Sequence, residues 1–254
     1  MIIGNEEIRQ QLATKAIQQT LHHCLLFEGP SGVGKATTAL WLAKILNCEE
    51  GGPEPCNECW SCRMIDADTH PDILFVGLDP ERTAPIISVR QAREVINKLR
   101  LFTFRARNRV VVFDPAEAMR LDTANTLLKT FEEPPSQTYF FLICDSAHQM
   151  ISTVRSRAQR VRFHPVGEEA MSHWLATRTG EEHDLVQRLS DGCPGRAVGL
   201  LEGGLSEWKE VRDGFFQAIS GSQSLRFEWS QQFTSKGGRE RSDWGPRFEK
   251  LLEI

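Results

Sequence analysis

The sequence predicts an α/β protein, a parallel sheet of five strands with helices on both faces, followed by an all-helical part. Three observations carry this. A glycine-rich run, Gly29-Pro30-Ser31-Gly32-Val33-Gly34-Lys35-Ala36-Thr37, follows the apolar Cys24-Leu25-Leu26-Phe27 and opens a helical pattern. That is the strand, loop and helix setting of a phosphate-binding loop. Four more short apolar runs, ending at Phe163, alternate with helical patterns, as a parallel sheet requires. After Pro165 the strand-like runs stop.

Residues 5–20 read as the first helix, with Asn5 as its cap and Ile8, Leu12 and Ala16 on one face. In the glycine-rich loop, Gly29, Gly32 and Gly34 let the backbone curl so that consecutive N–H groups face a phosphate. The N-terminus of the helix over 36–46 adds its partial positive charge. Lys35 is placed to reach the β- and γ-phosphates. The next residue should offer a hydroxyl to Mg²⁺, and here it is Ala36. Thr37 comes one position late, about 100° round the helix. The spacing therefore predicts a phosphate loop with a damaged metal site.

The helix runs into four cysteines, Cys48, Cys56, Cys59 and Cys62, spaced C-x7-C-x2-C-x2-C in a polar segment without helix or strand pattern. Four thiols at that spacing suit a tetrahedral Zn²⁺ site. No Asp, Glu or His is set to activate a water there, so the site reads as structural, a staple for an insertion without a core of its own. Residues 73–76 read as the second strand. A loop through Asp79-Pro80-Glu81 leads to a helix over 88–101 with Val89, Ala92, Ile96 and Leu99 as its stripe. Arg90, Arg93, Lys98 and Arg100 lie elsewhere on that helix, and Arg105, Arg107 and Arg109 follow. A solvated basic face is the favoured reading of these cations, ahead of a nucleic-acid contact.

Val110-Val111-Val112-Phe113-Asp114 reads as a buried strand ending in an acid, the position from which a carboxylate holds Mg²⁺ in P-loop proteins. Pro115 stands where a water-orienting Glu is expected, and Glu117 lies just beyond. Both elements that serve Mg²⁺ and water are thus altered, which argues against a competent ATPase. A helix over 123–133 stops at Pro134-Pro135. The strand 139–144 ends in Asp145 and Ser146, and 160–163 is the last strand. Beyond Pro165, segments 168–177, 181–189 and 196–201 read as short helices, with Gly192-Cys193-Pro194-Gly195 as a break. A further helix starts near Leu205 with Trp208, Val211, Phe215 and Ile219 as markers. The remainder, including a polar loop over 231–241 and Trp229, Phe233, Trp244 and Phe248, is weakly patterned.

The bulk numbers set bounds. The 254 residues carry a net charge of −4, which excludes a polyelectrolyte partner for DNA along the whole chain. No apolar run approaches the roughly 20 residues of a membrane span. The N-terminus lacks the basic and apolar regions of a signal peptide. A cytoplasmic protein is expected, with its cysteines as thiols or metal ligands.

Taken together, GPSGVGK, the cysteine cluster, the 88–101 helix, VVVFDPAEAM, NTLLKTFEEPP, STVRSRA and GCPGRA resemble the bacterial clamp-loader subunits of DNA polymerase III. The likeness is of the delta-prime kind, with the gamma/tau kind as its near relative, and spans residues 4–200. It implies a P-loop AAA+ domain over 1–165, a helical lid over 166–204 and the start of a helical collar over 205–254. The gamma/tau kind keeps Thr after the lysine and Asp-Glu on the acidic strand. Ala36 and Pro115 depart from that in the delta-prime manner. Arg157 matches the arginine that reaches a neighbouring subunit's ATP site, with Ala158 in place of the family's cysteine. Arg196 matches the lid arginine that contacts nucleotide. The implied partners are the other clamp-loader subunits, the sliding clamp, and primed DNA through the assembled complex. No polymerase active site is visible. Nucleotide binding without turnover stays open, as do a self-sufficient gamma/tau-like ATPase and a zinc-dependent nucleic-acid module.

Overall fold

Strands that are apolar from end to end must be covered on both faces, and that requirement organises this chain. A computed structural model describes residues 3–101, 106–180 and 182–220. The chain divides into two units, Met1–Ala170 and Met171–Ile254. The first contains, in order, α1 (Glu6–Ile17), β1 (Cys24–Glu28), α2 (Lys35–Asn47), α3 (Trp60–Asp66), β2 (Ile73–Val76), α4 (Val89–Leu99), β3 (Arg109–Phe113), a 3-10 turn (Ala116–Ala118), α5 (Leu121–Glu132), β4 (Thr138–Cys144), α6 (Ser152–Arg155) and β5 (Gln159–Arg162). The five strands form one parallel sheet in the order β2-β3-β4-β1-β5. The α/β expectation is met.

Side chains alternate across a strand, so each central strand feeds two buried layers. Leu26, Val111, Phe113 and Phe140 join Leu127 and Phe131 of α5 in one of them. Phe131 meets Phe113 and Phe140 edge to face, at centroid distances of 6.0 and 5.0 Å. The alternate set, Leu25, Phe27, Val110, Val112 and Phe141, is buried as well. Here α2 packs on β4, and α1 packs on α2. The edge strand β5 is short and carries Arg160 and Arg162, which suits an edge.

Several details differ from the sequence expectation. Asn5 makes no capping bond to α1. Its side chain instead grips the backbone of His164, accepting from the N–H at 3.0 Å and donating to the carbonyl at 3.0 Å. The cysteine segment, expected to be irregular, contains α3. Cys59 caps that helix by accepting from the N–H of Cys62. The buried stripe of α4 is Ala92, Val95 and Leu99, and Ser88 closes a capping box with Gln91. In the basic stretch Arg93 and Lys98 on α4 and Arg100 at its C-cap are exposed, as a solvated face requires, but two other arginines are held by the fold. Arg90 pairs with Asp79 and Glu81, each at 3.1 Å. Arg109 is buried, lies 3.7 Å from Asp72, and donates to the carbonyls of Leu99 and Leu101 at the end of α4. Neither is free for a nucleic acid. Arg105 lies outside the described residues.

The second unit is helical where it is described. The division falls within α7 (Glu168–Ala176), which is followed by α8 (His183–Ser190), α9 (Pro194–Gly199), a π-helical stretch (Leu200–Gly204) and α10 (Leu205–Ser220). Val186, Ala197, Leu200 and Trp208 are buried. Arg178 lies over the Trp174 ring and Arg212 over Trp208, at 4.3 and 5.0 Å. Glu181, the polar loop over 231–241, and Trp229, Phe233, Trp244 and Phe248 lie outside the described residues. No described helix is long and apolar enough to cross a membrane.

Gly29 leaves β1 directly against β5. A Cβ built there would sit 2.6 Å from the carbonyl oxygen of Phe163. The obstacle is backbone, so relief requires moving a strand end. Gly29→Ala is expected to destabilise the chain by about 1–3 kcal/mol, read as a lower urea midpoint. An unchanged midpoint would mean that the loop and the end of β5 do not meet in this way.

Candidate functional site

In a parallel sheet, ligands meet the carboxyl ends of the strands. Here the ends of β1, β4 and β3, which are neighbours, carry the glycine-rich loop, Asp145 and Asp114. The loop needs its glycines. Gly32 and Gly34 take φ of 80° and 104°, a region that L side chains rarely adopt. Gly34 hands the chain into α2, whose first turn has no side-chain cap. Such a terminus presents backbone N–H groups to an anion.

Lys35 is 6% exposed. Its Nζ donates to the carbonyl of Gly29, to the carbonyl of Pro30 at 3.1 Å and to Asp145 Oδ1 at 2.7 Å. Asp145 is in turn held through its N–H, which Glu117 Oε1 accepts at 3.2 Å. The second carboxylate oxygen of Glu117 is buried without a hydrogen-bond partner. Asp114 opens to solvent on one side, yet the atoms around it desolvate its carboxyl and raise its pKa. Lys35 opposes that rise, and Glu117 and Asp145 add to it. Ala36 and Thr37 are both exposed in the first turn of α2. The structure thus brings together Lys35, Asp114, Glu117 and Asp145, with a methyl group at position 36 where a hydroxyl would hold Mg²⁺.

Asp145 was visible in the sequence only as the residue that ends a strand. Its closeness to Lys35 follows from the pairing of β4 with β1, which no local pattern encodes. Glu28, at the end of β1, was missed for the same reason. It accepts from the N–H of Ala147 at 2.9 Å and pairs with Arg160 at 2.6 Å. Burial pushes the Glu28 carboxyl up, but those two groups and Arg162 outweigh it and hold it below the usual value.

Arg157 follows α6, and its bonds run away from the loop. Its Nε donates to Glu132 Oε1 at 2.6 Å, its Nη2 pairs with the same oxygen, and its Nη1 donates to the carbonyl of Thr153 at 2.7 Å. The guanidinium stays partly exposed. Arg196 lies half-buried on α9 of the second unit.

The four cysteines converge. Cys48 ends α2, Cys56 and Cys59 lie in the loop, and Cys62 sits in the first turn of α3. Their four sulfurs lie within 4.8 Å of one another. Zn–S bonds of about 2.3 Å put tetrahedral sulfurs about 3.8 Å apart, and Cys56 and Cys62 are already at 4.0 Å. Backbone N–H groups of Cys56, Cys59 and Cys62 point at the sulfurs of Cys48, Cys56 and Cys59 at 3.3–3.4 Å, as donors to thiolates would. Those of Cys59 and Glu58 lower the Cys56 thiol to about 7. Burial pushes Cys62 up. Cys24 and Cys144, buried in strands, are pushed up to about 12 and stay thiols. A set of four sulfurs with no oxygen or nitrogen ligand fits Zn²⁺ in a closed site.

Comparison with known proteins agrees with this architecture. The family model described as "DNA polymerase III, delta subunit" matches residues 4–167. DNA polymerase III subunit delta' of Escherichia coli K12 is 33% identical over 203 residues, which is 78% of this chain and 59% of that one. DNA polymerase III subunit tau of Bacillus subtilis 168 is 31% identical over 214 residues, which is 81% of this chain and 37% of that one. The chain therefore spans about three fifths of the first and under two fifths of the second. Among solved structures, a DNA polymerase III gamma-subunit-related protein of Thermotoga maritima superposes with a TM-score of 0.58 at 17% identity, covering 87% of this chain and 77% of that one. That likeness shows the fold.

Metal analysis of the purified chain is expected to find about one zinc per chain. Cys59→Ala should take this close to zero and shift the fluorescence of Trp60, which opens α3, and of Trp41, whose Nε1 donates to Glu54 at 2.8 Å. Full zinc retention in Cys59→Ala would show that the four sulfurs are not the ligands.

Proposed function

The chain belongs to the clamp-loader family of DNA polymerase III and has its AAA+ fold, and on that premise we propose that it acts as a delta-prime-like subunit. In this role it braces the assembly that opens the sliding clamp and places it on primed DNA, and it works in the cytoplasm. Residues 1–165 are the nucleotide-binding-like domain, 166–204 the lid and 205–254 the start of the collar through which clamp-loader subunits assemble. The partners are further clamp-loader subunits, the clamp, and primed DNA through the complex.

One observation carries the reading. Ser156-Arg157 is kept, on a partly exposed turn after α6, in a chain whose own phosphate loop has Ala36 in place of a hydroxyl and Pro115 after Asp114. A chain that has lost the groups for its own turnover still holds one suited to a neighbour's. When ATP is bound in that neighbour, its γ-phosphoryl oxygens gain charge during transfer. Arg157 would meet that charge with its planar fork. It must first leave Glu132. A surface ion pair contributes about 0–1 kcal/mol, so the exchange costs little. In this chain Gly29, Gly32, Gly34, Lys35, Ala36, Thr37 and Asp114 would frame a weak nucleotide site, with Arg196 as the lid contact. Cys48, Cys56, Cys59 and Cys62 would hold a structural Zn²⁺ that ties the end of α2 to α3.

The alternative is a gamma/tau-like motor that binds and hydrolyses ATP. Lys35, the loop glycines and the uncapped start of α2 favour it; Ala36 and Pro115 oppose it.

The test is Arg157→Ala in the reconstituted loader. A trans-acting arginine changes a phosphoryl-transfer rate by roughly 10³–10⁵ at the site it serves. The DNA-stimulated ATPase of the complex is expected to fall at least about tenfold, with assembly intact by gel filtration. Arg157→Lys should restore only part of the rate. An unchanged ATPase in Arg157→Ala would refute the proposed role.

A further inference from the structure

The ammonium of Lys35 is fully committed within its own chain. It has three N–H donors, and the structure gives it three acceptors: the carbonyls of Gly29 and Pro30 and the carboxylate of Asp145. No donor is left for a phosphate. The two carbonyls belong to the loop backbone, whose Gly29 directly follows β1. Asp145 differs. Its side chain is 54% exposed, so it is the acceptor free to swing away. Its backbone is fixed by β4 on one side and by the bond to Glu117 on the other.

Charge points the same way. Asp145 pairs with the one ammonium, and Asp114 and Glu117 lie close by; desolvation raises the pKa of Asp114, Lys35 opposes the rise, and the other two carboxylates add to it. An incoming polyphosphate would add negative charge to a pocket already short of cations. It would meet no hydroxyl at position 36 through which Mg²⁺ could offset that charge.

We infer that Asp145 is a specificity-determining residue of the phosphate loop, an internal carboxylate that occupies Lys35 in place of a nucleotide phosphate and keeps nucleotide out. It deepens the reading of this site as a weak one and rests on the loop being a phosphate site. It does not depend on Arg157. The loop keeps the shape of a nucleotide site because Asp145 supplies the third acceptor that a buried ammonium needs. The same bond makes ATP a competitor of a residue that is always present.

The test is calorimetric titration of the whole chain with ATP and Mg²⁺, comparing wild type with Asp145→Asn. Asparagine keeps the size and one acceptor oxygen but removes the charge. Affinity is expected to rise at least tenfold, about 1.4 kcal/mol, and the gain should vanish when Lys35→Ala is added. Asp145→Thr, neutral and smaller, should show the same direction, and urea melts of each variant establish that it is folded. Equal or weaker binding in both folded variants would overturn the inference, since Asp145 would then be neutral toward the ligand or help to hold it. A gain that survives Lys35→Ala would overturn it too. The Arg157 experiment reads a neighbouring subunit's ATP site, so either result can fail while the other stands.

Discussion

Burial of the central strands on both faces is the constraint on which the rest depends. When the middles of β1, β3 and β4 spend their side chains on two apolar layers, polar chemistry can be carried only at the strand ends. All three strands run the same way, so their carboxyl ends collect at one edge. Lys35, Asp114 and Asp145 are neighbours because β1, β4 and β3 are neighbours. The cost of a buried ammonium then dictates the finer geometry. An unpaired buried donor loses about 1–3 kcal/mol, more when it carries charge. Lys35 is therefore surrounded by acceptors from the chain itself.

How much of this was legible in the sequence follows from how local each signal is. The strands and most helices were, because continuous apolar runs and 3.6-residue stripes are properties of adjacent residues. The glycine loop and the cysteine cluster were too, because their spacing states their chemistry. What was hidden lies across strand pairings. Asp145 meets Lys35 from 110 positions away, and Glu28 meets Arg160 from 132. Asn5 looked like a helix cap because its type and position fit one. The end of β5 offered its side chain both a donor and an acceptor, and that pair won over a single cap bond. Helix α3 was missed since its seven residues are too few for a periodic stripe, and its cap is a cysteine rather than Ser, Thr, Asp or Asn.

The arginines show how little a count of charges decides. Arg90 and Arg109 looked like part of a basic face. Arg109 instead neutralises buried Asp72 and closes the carbonyl end of α4, where a cation is favoured by the helix dipole. Arg90 gathers Asp79, Glu81 and, at 3.8 Å, Glu94. Asp79 is almost wholly covered, so this cluster fixes the loop before α4. Arg157 is of another kind. Its carboxylate partner Glu132 is itself exposed, and nothing in the fold collapses if they part. Among these cations, a surface pair of low cost is the one suited to exchange partners.

The two carboxylate contacts, Lys35 with Asp145 and Arg157 with Glu132, have the same form and opposite consequences. Each places an acid against a cation for which the proposed function names a phosphate oxygen as partner. Around Lys35 the acid is one of three carboxylates close by, and the hydroxyl that would bring Mg²⁺ is missing, so exchange for a polyphosphate is opposed by charge. Around Arg157 water can satisfy whichever group is left behind, so exchange is nearly free. The difference in burial, 6% exposed for Lys35 against 31% for the Arg157 side chain, separates a lysine that holds its own loop from an arginine that can exchange its partner, as the proposed trans role requires. The proposed role, a subunit that braces an assembly without turning over ATP, rests on that asymmetry.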